Sequence, residues 1–276
     1  MDRYCVMGNP VDHSKSPWIH ARYAALTGQQ LEYGRRLVPM DGFAAGLRAF
    51  QAEGGKGCNV TLPFKFEAAG LVDFRSTRAA LAGACNTLRI EADGIHGENT
   101  DGIGWVSDVQ NNAGVSLGGR DVLLLGAGGG AAGVLGPLLE ARPRRVVVAN
   151  RTLAKAEALV RTHAMLANDT YADLQAVALD AVHGQFDVVV NGTASSITGG
   201  AVPVAAKVLK PRALACDFMY GPPADGFLRW AQENGAIGRD GLGMLVEQAA
   251  EAFLWWRGVR PPSAQVLEEL RRELRR

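Results

Sequence analysis

A lysine and an aspartate in the first half of the chain have the residue types of a proton-transfer pair. Lys65 ends the run Asn59-Val60-Thr61-Leu62-Pro63-Phe64-Lys65, whose pattern predicts a strand that turns at the proline into a helix. Asp101 lies in Asn99-Thr100-Asp101-Gly102, after another short predicted strand. A positioned ammonium group can donate a proton to a developing alkoxide, and a carboxylate beside it can orient that group. Both residues are therefore candidates for acid–base chemistry.

Each of the two residues also has a simpler structural explanation. An isolated lysine is most often a solvated surface residue. Asp101 is well placed to be the N-cap of a helix that begins near Ile103. Chemistry is favoured by their shared position just past strand ends, because ligands of an open α/β sheet collect at the carboxyl ends of its strands.

Two serines occupy a comparable position near the start of the chain. Ser14 and Ser16 follow an apolar strand predicted for residues 4–7. Ser16 before Pro17 is also a plausible N-cap with proline at N1, but this explanation does not account for Ser14. Two hydroxyls at the end of a strand suit a polyol or a carboxylate ligand.

Three further polar side chains belong to the same half of the chain. Asn59 and Thr61 alternate with apolar neighbours, so both are predicted on one face of their strand. Asn86 is polar among apolar residues, in the turn that joins a helix to a strand within residues 77–90. The first half therefore reads as an α/β unit whose polar residues gather at strand ends.

A glycine loop organises the second half of the chain. Residues 122–125 predict a buried parallel strand, residues 131–141 a helix and residues 146–149 a second buried strand. Between the first strand and the helix, Gly126 permits a tight turn, Gly128 lets the backbone approach a pyrophosphate, and Ala131 stands where the dinucleotide fingerprint allows Gly or Ala. The helix N-terminus offers free N–H groups to phosphates. This context predicts a Rossmann-type nucleotide site.

The end of the second strand indicates which dinucleotide is bound. Asn150 stands about 20 residues after the loop, where an NAD enzyme usually carries an acidic residue on the ribose hydroxyl. Here the position is neutral, Arg151 follows, and Lys155 lies one helical turn further on. Because a guanidinium matches phosphate geometry, NADP is the predicted cofactor. The simpler alternative is a solvated arginine at the end of a strand.

Composition excludes several other classes of function. The 276 residues suffice for two domains, and 47% hydrophobic with 21% charged residues is ordinary for a globular protein. A net charge of +1 suggests neither nucleic acid nor a membrane surface as partner. The four cysteines lack zinc spacing and lie among apolar or small residues, which predicts buried reduced thiols and no metal site. No signal peptide or membrane-spanning run is evident, so a cytoplasmic enzyme is expected.

Strands and helices continue to alternate after the glycine loop. Helices are predicted at residues 152–167, 224–234, 241–256 and 263–276, and strands at 186–191, at 213–220 and from Ile237. In the first half, a strand at 34–39 and helices at 18–26, 43–53 and 104–113 complete the pattern. The predicted fold class is therefore α/β.

Taken together, the motifs closely resemble those of the shikimate dehydrogenase family. They are Ser14-Lys15-Ser16-Pro17, residues 59–65, Ala84-Cys85-Asn86-Thr87, residues 99–102, the glycine loop, Asn150-Arg151-Thr152 and residues 241–246 with Gln248. The resemblance implies a Rossmann-type NADP domain inserted in a discontinuous α/β substrate domain. It places the substrate domain at residues 1–103 and 242–276 and the NADP domain at 104–241.

The resemblance also implies a role for individual residues. It assigns Lys65 and Asp101 to the catalytic pair. The residues that it assigns to the substrate are Ser14, Ser16, Asn59, Thr61, Lys65, Asn86, Asp101, Tyr220 and Gln248. Those that it assigns to the cofactor are Gly126, Ala127, Gly128, Gly129, Gly130, Asn150, Arg151, Thr152, Lys155, Thr193, Phe218 and Gly241. Two departures are Phe218, where an aliphatic residue is often found, and Thr77, where some members carry an acidic one.

The activity implied by the resemblance is the reversible reduction of 3-dehydroshikimate to shikimate by NADPH, in chorismate and aromatic amino-acid biosynthesis. Its partner is a small-molecule substrate, and the expected assembly is a monomer or a homodimer. One alternative is a paralogue that uses quinate, or both compounds, with broader cofactor use. Another is a non-catalytic NADP-binding sensor, against which the retention of both Lys65 and Asp101 argues.

Overall fold

The computed structural model describes residues 1–196 and 199–275, and it divides the chain into two compact units. The first unit comprises Met1–Gly104 with Leu245–Arg276, and the second comprises Trp105–Met244. Among the described residues, no helix combines the length and the apolar character needed to cross a membrane.

Twelve strands are defined within the described residues. They are β1 (Asp2–Gly8), β2 (Leu31–Leu37), β3 (Gly55–Val60), β4 (Phe74–Arg75), β5 (Thr87–Glu91), β6 (Gly94–Glu98), β7 (Asp121–Leu125), β8 (Arg145–Asn150), β9 (Asp173–Ala178), β10 (Phe186–Asn191), β11 (Leu209–Asp217) and β12 (Ile237–Arg239).

The α-helices of the same residues are α1 (Ser16–Thr27), α2 (Phe43–Ala52), α3 (Lys65–Leu71), α4 (Thr77–Ala82), α5 (Asp101–Ser107), α6 (Gly129–Glu140), α7 (Leu153–Thr170), α8 (Asp225–Glu233), α9 (Leu242–Arg257) and α10 (Ser263–Glu273). A π-helical turn at Asp108–Asn112 continues α5, and three short 3₁₀ turns complete the list.

The first unit is built on a mixed sheet with the strand order β2-β1-β3-β5-β6-β4. β1 lies parallel to β2 and β3, whereas β5 runs antiparallel to both β3 and β6. Met7, Cys58 and Leu88 are buried in a core that α2 and α3 cover with Leu47 and Ala68. Burial of these apolar side chains fixes the strand register, so the ends of β3 and β6 are held in place.

The second unit contains a fully parallel sheet with the order β12-β11-β10-β7-β8-β9. Counted within this unit, that is the strand order of a doubly wound dinucleotide-binding sheet. Every residue of β7 is buried, as expected for a parallel strand with helices on both faces. The predicted fold class, a Rossmann-type domain inserted in a discontinuous α/β domain, is confirmed.

Some predicted element bounds are wrong. The strand predicted at residues 34–39 is Leu31–Leu37, and the one predicted at 213–220 is Leu209–Asp217. The helix predicted at 104–113 is instead α5 followed by the π-helical turn. β9 has no counterpart in the prediction, because none of its residues is fully buried and its apolar alternation is weak.

A cluster of aromatic rings joins β2 to α1 and α9 inside the first unit. His20 is fully buried and stacks on Tyr33 with 4.2 Å between ring centroids and 6° between planes. Phe253, Trp256 and Tyr23 surround the imidazole at centroid distances of 6.2, 5.4 and 6.0 Å. We call these five residues the aromatic cluster. Burial lowers the pKa of His20 to about 3, so the imidazole is neutral at ordinary pH.

This burial predicts a loss of stability in acid. The pKa of His20 is lower in the folded protein than in the unfolded chain, where it is near 6.5, so protons bind preferentially to the unfolded chain. Stability is therefore complete above pH 6.5 and falls as the pH drops towards 3. Between about pH 7 and pH 5 the free energy of unfolding should fall by about 2 kcal/mol on account of His20 alone.

Urea unfolding of wild type and His20→Phe at both pH values measures this contribution. Phenylalanine preserves the stack on Tyr33 but cannot be protonated. Between pH 7 and pH 5 the free energy of unfolding of the variant should therefore fall by about 2 kcal/mol less than that of wild type. An equal acid loss in both proteins would show that His20 does not cause it.

Candidate active site

The two candidate acid–base residues meet in the first unit. Lys65 is the first residue of α3 and Asp101 the first residue of α5. The Lys65 ammonium nitrogen lies 2.5 Å from Asp101 Oδ2, and the side chains are only 16% and 6% exposed. A charge-assisted bond between two largely buried groups is stronger and better oriented than a surface ion pair. The structure thus brings together two residues that lie far apart in the sequence.

Asp101 is held from several directions. Its Oδ1 accepts a hydrogen bond from Asn86 Nδ2 at 2.8 Å, while Oδ2 receives the lysine. Its backbone N–H donates to Asn99 Oδ1 at 3.1 Å, so Asn99 caps the helix. The expectation that Asp101 itself is an N-cap, with a helix beginning near Ile103, is wrong, because α5 begins at Asp101. Its side chain is therefore not engaged in capping.

The amide of Asn86 has one satisfactory orientation. Its Oδ1 accepts from the backbone N–H of Thr100 at 2.8 Å and from the Thr87 hydroxyl at 3.0 Å. Its Nδ2 consequently points to Asp101, with Gln248 Oε1 a further 3.3 Å acceptor. Since a carboxylate only accepts and a backbone N–H only donates, these partners determine which end of the amide is which.

Asn59 is saturated as a donor. Its Nδ2 donates to Asn86 O at 3.2 Å and to Thr87 Oγ1 at 3.0 Å, and its Oδ1 accepts from the Tyr33 hydroxyl at 2.7 Å. A substrate group could therefore meet Asn59 only as a donor to the remaining lone pair of Oδ1. Thr61 lies just past the end of β3 and is partly exposed. Its backbone N–H donates a hydrogen bond to the carbonyl oxygen of Met7.

The two candidate serines lie on either side of a helix start. Ser16 is the first residue of α1, and Lys15 occupies the N-cap position without a side-chain capping bond. The alternative that Ser16 is an N-cap is therefore wrong. Instead, the Ser16 backbone N–H donates to Ser14 Oγ at 3.2 Å. The Arg35 guanidinium donates to Ser14 O at 2.6 and 3.1 Å, which fixes this turn.

Gln248 and Tyr220 belong to different units. Gln248, on α9, is buried in the first unit and accepts from Asn86 and Thr100 at 3.3 and 3.4 Å. Tyr220 follows β11 in the second unit, and its contact with a substrate stays a prediction.

The glycine loop of the second unit has the geometry that a pyrophosphate requires. Gly126 has φ +104°, and a Cβ there would lie 2.9 Å from the Gly192 carbonyl oxygen. α6 begins at Gly129, with Gly128 at the N-cap, and within the described residues no side chain caps its first turn. A Cβ on Gly128 would meet nothing within 4 Å, so the approach to these N–H groups is open. The loop therefore fits a dinucleotide.

The segment after β8 presents free cations. Asn150 Nδ2 donates to Thr152 O at 2.9 Å, which shapes the turn into α7. Arg151 and Lys155 are exposed, and neither forms an ion pair within residues 1–196 and 199–275. Two unpaired cations one helical turn apart can bind a phosphate.

The remaining cofactor candidates, Thr193, Phe218 and Gly241, follow the ends of β10, β11 and β12. Thr193 Oγ1 lies 2.7 Å from Asn191 Oδ1, which holds the loop after β10. The Phe218 ring lies so close to Gly192 that a Cβ there would come within 2.7 Å of it. A Cβ on Gly241 would lie 2.2 Å from Phe218 O, so only glycine fits at that position. The phenyl group thus packs on the glycine-rich surface.

Sequence reasoning missed two buried carboxylates. Glu98 accepts from Asn99 N, Ser76 Oγ and the Arg78 guanidinium at 2.6 to 3.3 Å, and so anchors the segment that leads to Asp101. Asp217 accepts from Asn191 Nδ2, Ser196 Oγ and Met219 N at 2.5 to 2.9 Å, while burial raises its pKa. Each is the last residue of its strand, but both strands carry other polar residues, so no local pattern distinguished these carboxylates.

Family models match three parts of the chain. A shikimate dehydrogenase substrate-binding domain matches residues 6–88, and a shikimate/quinate 5-dehydrogenase matches residues 108–203. A shikimate 5'-dehydrogenase C-terminal domain matches residues 241–271.

Individual relatives match over nearly the full length. Shikimate dehydrogenase (NADP(+)) of Acidovorax sp. (strain JS42) is 64% identical over 98% of this chain and 96% of its own. Shikimate 5-dehydrogenase from Thermus thermophilus in complex with shikimate is 33% identical with a TM-score of 0.85, covering 99% of both chains. Its complex with NADP(H) and shikimate gives 31% identity, a TM-score of 0.84 and the same coverage.

The glycine loop yields a test of backbone constraint. Gly126→Ala places a Cβ in an unfavourable φ region and against a backbone oxygen, so it should destabilise the protein by roughly 1–3 kcal/mol. Gly128→Ala is the matched control, since φ −86° and open space accommodate alanine. Chemical denaturation of both variants gives the comparison, and equal stability of the two would show that Gly126 is not constrained.

Proposed function

Because the chain belongs to the shikimate dehydrogenase family, we propose that it catalyses the reversible NADPH-dependent reduction of 3-dehydroshikimate to shikimate. The observation that supports this most strongly is the Lys65–Asp101 pair, joined at 2.5 Å and largely buried in the first unit. The name of a relative 64% identical supports the same substrate and cofactor.

In this proposal the second unit binds NADP. Residues 126–130 hold the pyrophosphate through backbone N–H groups, and Asn150, Arg151, Thr152 and Lys155 surround the adenosine phosphate. Ala127 lies in the loop, Phe218 and Gly241 line the region assigned to the nicotinamide, and Thr193 is a further cofactor contact. When bound, NADPH supplies the hydride, and the protein supplies orientation and proton transfer.

The first unit provides the substrate site in the same proposal. Ser14 and Ser16 bind the carboxylate, whose charge is met by hydroxyl donors. Tyr220, which belongs to the second unit, stays a predicted carboxylate contact. Thr61, Asn86 and Gln248 bind the ring hydroxyls together with the catalytic pair, and Asn59 serves as an acceptor beside them.

Proton transfer falls to Lys65. As the carbonyl carbon of 3-dehydroshikimate becomes tetrahedral, negative charge develops on its oxygen, and the Lys65 ammonium gives that oxygen a proton. Asp101, fixed through both carboxylate oxygens, orients the ammonium and can accept a bond from a neighbouring substrate hydroxyl. In the reverse direction the neutral amine takes the proton from the alcohol.

The alternatives are not favoured. The similarity to enzymes named shikimate dehydrogenase (NADP(+)) extends over nearly the whole chain, which argues against a non-catalytic sensor or a paralogue with other main substrates. We also place the enzyme in the cytoplasm, because its four cysteines are all free and buried. Whether it is a monomer or a homodimer stays a prediction.

A spectrophotometric assay tests the proposed function directly. Purified protein is given shikimate or quinate with NADP or NAD, and the appearance of the reduced cofactor is followed. The proposal expects the highest kcat/KM for shikimate with NADP. Equal or faster turnover of quinate, or no turnover of either compound, would contradict it.

The free cation after β8 predicts the cofactor preference. Arg151→Ala should raise the KM for NADP about tenfold or more, since a hydrogen bond to a charged group contributes about 1.5–3 kcal/mol. The KM for NAD should hardly change, because NAD lacks the 2′-phosphate. Equal increases with both cofactors would show that Arg151 does not contact that phosphate.

If Lys65 and Asp101 act as one unit, the losses of kcat in their variants should not be additive. Lys65→Ala should lower kcat by about 10² to 10⁴-fold, the usual range for a positioned acid or base. Asp101→Ala should also lower kcat and weaken substrate binding, and the double variant should be little worse than the poorer single one.

Steady-state kinetics of the three variants decides this point. Fully multiplicative losses would indicate independent roles. A change confined to KM in Lys65→Ala would make Lys65 a binding residue only.

A further inference from the structure

We propose that Tyr33 is a positioning residue of the substrate site: its hydroxyl begins a one-directional chain of hydrogen bonds that fixes the Asp101 carboxylate. The proposal rests on the function proposed above, because it concerns the same site. Tyr33 lies on the edge strand β2, outside every motif identified in the sequence.

Tyr33 contacts the proposed substrate site through Asn59. Its hydroxyl donates to Asn59 Oδ1 at 2.7 Å. Burial raises the pKa of Tyr33 well above its ordinary value, so the phenol stays protonated and serves as a donor.

The ring of Tyr33 has little freedom to move. It stacks on His20 at 4.2 Å with the planes within 6° of parallel, and Trp256 flanks it at 6.3 Å. His20 is fully buried, and neither ring nitrogen has a hydrogen-bond partner among the described residues. Its contribution is therefore the face of the imidazole, which holds the phenol in place.

Every link after Tyr33 donates in the same direction. Asn59 Nδ2 donates to Thr87 Oγ1 at 3.0 Å, and the Thr87 hydroxyl donates to Asn86 Oδ1 at 3.0 Å. Asn86 Nδ2 then donates to Asp101 Oδ1 at 2.8 Å. Successive bonds aligned in this way polarise one another, and the chain ends on the carboxylate that orients Lys65.

Tyr33 also supports the orientation of the Asn59 amide. An amide has a donor end and an acceptor end, and the wrong orientation would face Asn59 Oδ1 towards the Asn86 carbonyl. Tyr33 is the donor that occupies Asn59 Oδ1 and keeps its Nδ2 on Thr87 and Asn86. Without that hydroxyl, Asn59 Oδ1 loses its hydrogen-bond donor, and the hydrogen bonds from Asn59 to Thr87 and onward are less well fixed.

Tyr23 offers a matched comparison within the aromatic cluster. Tyr23 is fully buried, whereas Tyr33 is partly exposed, and the Tyr23 hydroxyl donates to a buried acceptor, Val246 O, at 2.8 Å. Its pKa is likewise raised by burial. Tyr23 makes no bond to the chain from Asn59 to Asp101 within the described residues, so its loss affects stability without affecting that chain.

The experiment compares wild type, Tyr33→Phe, Thr87→Val, the double variant and Tyr23→Phe. Each protein is measured for kcat, for KM with shikimate and with NADP, and for thermal stability. Tyr33→Phe should lower kcat about tenfold, the equivalent of one hydrogen bond, and leave the KM for NADP unchanged. Thr87→Val breaks the same chain further along and should lower kcat similarly.

Non-additivity distinguishes the chain from general loss of structure. The double variant should be no worse than the poorer single one, because one broken chain cannot be broken again. Tyr23→Phe should reduce thermal stability at unchanged kcat. If Tyr33→Phe proves unstable, Thr87→Val tests the chain alone.

Several outcomes would overturn the proposal. Wild-type kcat in Tyr33→Phe with lowered thermal stability would make Tyr33 purely structural. Multiplicative losses in the double variant, or unchanged kcat in Thr87→Val, would show that no chain connects the residues. Absence of shikimate turnover in wild type would instead contradict the proposed function, so the two failures are distinguishable.

Discussion

The amide of Asn86 is the constraint on which the candidate active site depends. It donates to Asp101 at 2.8 Å while its carbonyl oxygen accepts from the Thr100 backbone and the Thr87 hydroxyl. Because these partners fix its orientation, one oxygen of the Asp101 carboxylate is held and the other is left for Lys65. The proposed proton donor, Lys65, is thereby oriented by a carboxylate that a hydrogen-bonded amide holds in place.

The second unit uses close backbone approach instead of side-chain networks. Gly126, Gly192 and Gly241 each leave no room for a Cβ, since backbone oxygens or the Phe218 ring lie within 3 Å of where it would be. In the part of the chain that the structure describes, no side chain caps the N-terminus of α6. Main-chain N–H groups are therefore the proposed ligands, and their open approach suits a phosphate.

The sequence was informative where a local pattern carries the information. Periodicity and glycine spacing predicted β7, α6 and β8. The positions of Lys65 and Asp101 within motifs identified them as candidates, and the structure shows that they are in contact. Tyr33, Thr87 and Glu98 could not be found in this way. Their roles depend on partners far along the chain, and strand pairing of β1 with both β2 and β3 is what places Tyr33 near Asn59. The predicted N-cap of α5 was wrong for a similar reason. The side-chain oxygen of Asn99 accepts the backbone N–H of Asp101, which is the first residue of α5.

Chemical rescue of Lys65→Ala tests most directly whether Lys65 transfers the proton. Small primary amines of graded basicity are added to the variant, and kcat for shikimate oxidation is measured at saturating substrate. The account predicts that amines restore turnover in proportion to their concentration and increasingly with their basicity, as expected for proton transfer in the rate-determining step. Turnover that no amine restores, in a variant that still binds shikimate, would contradict it.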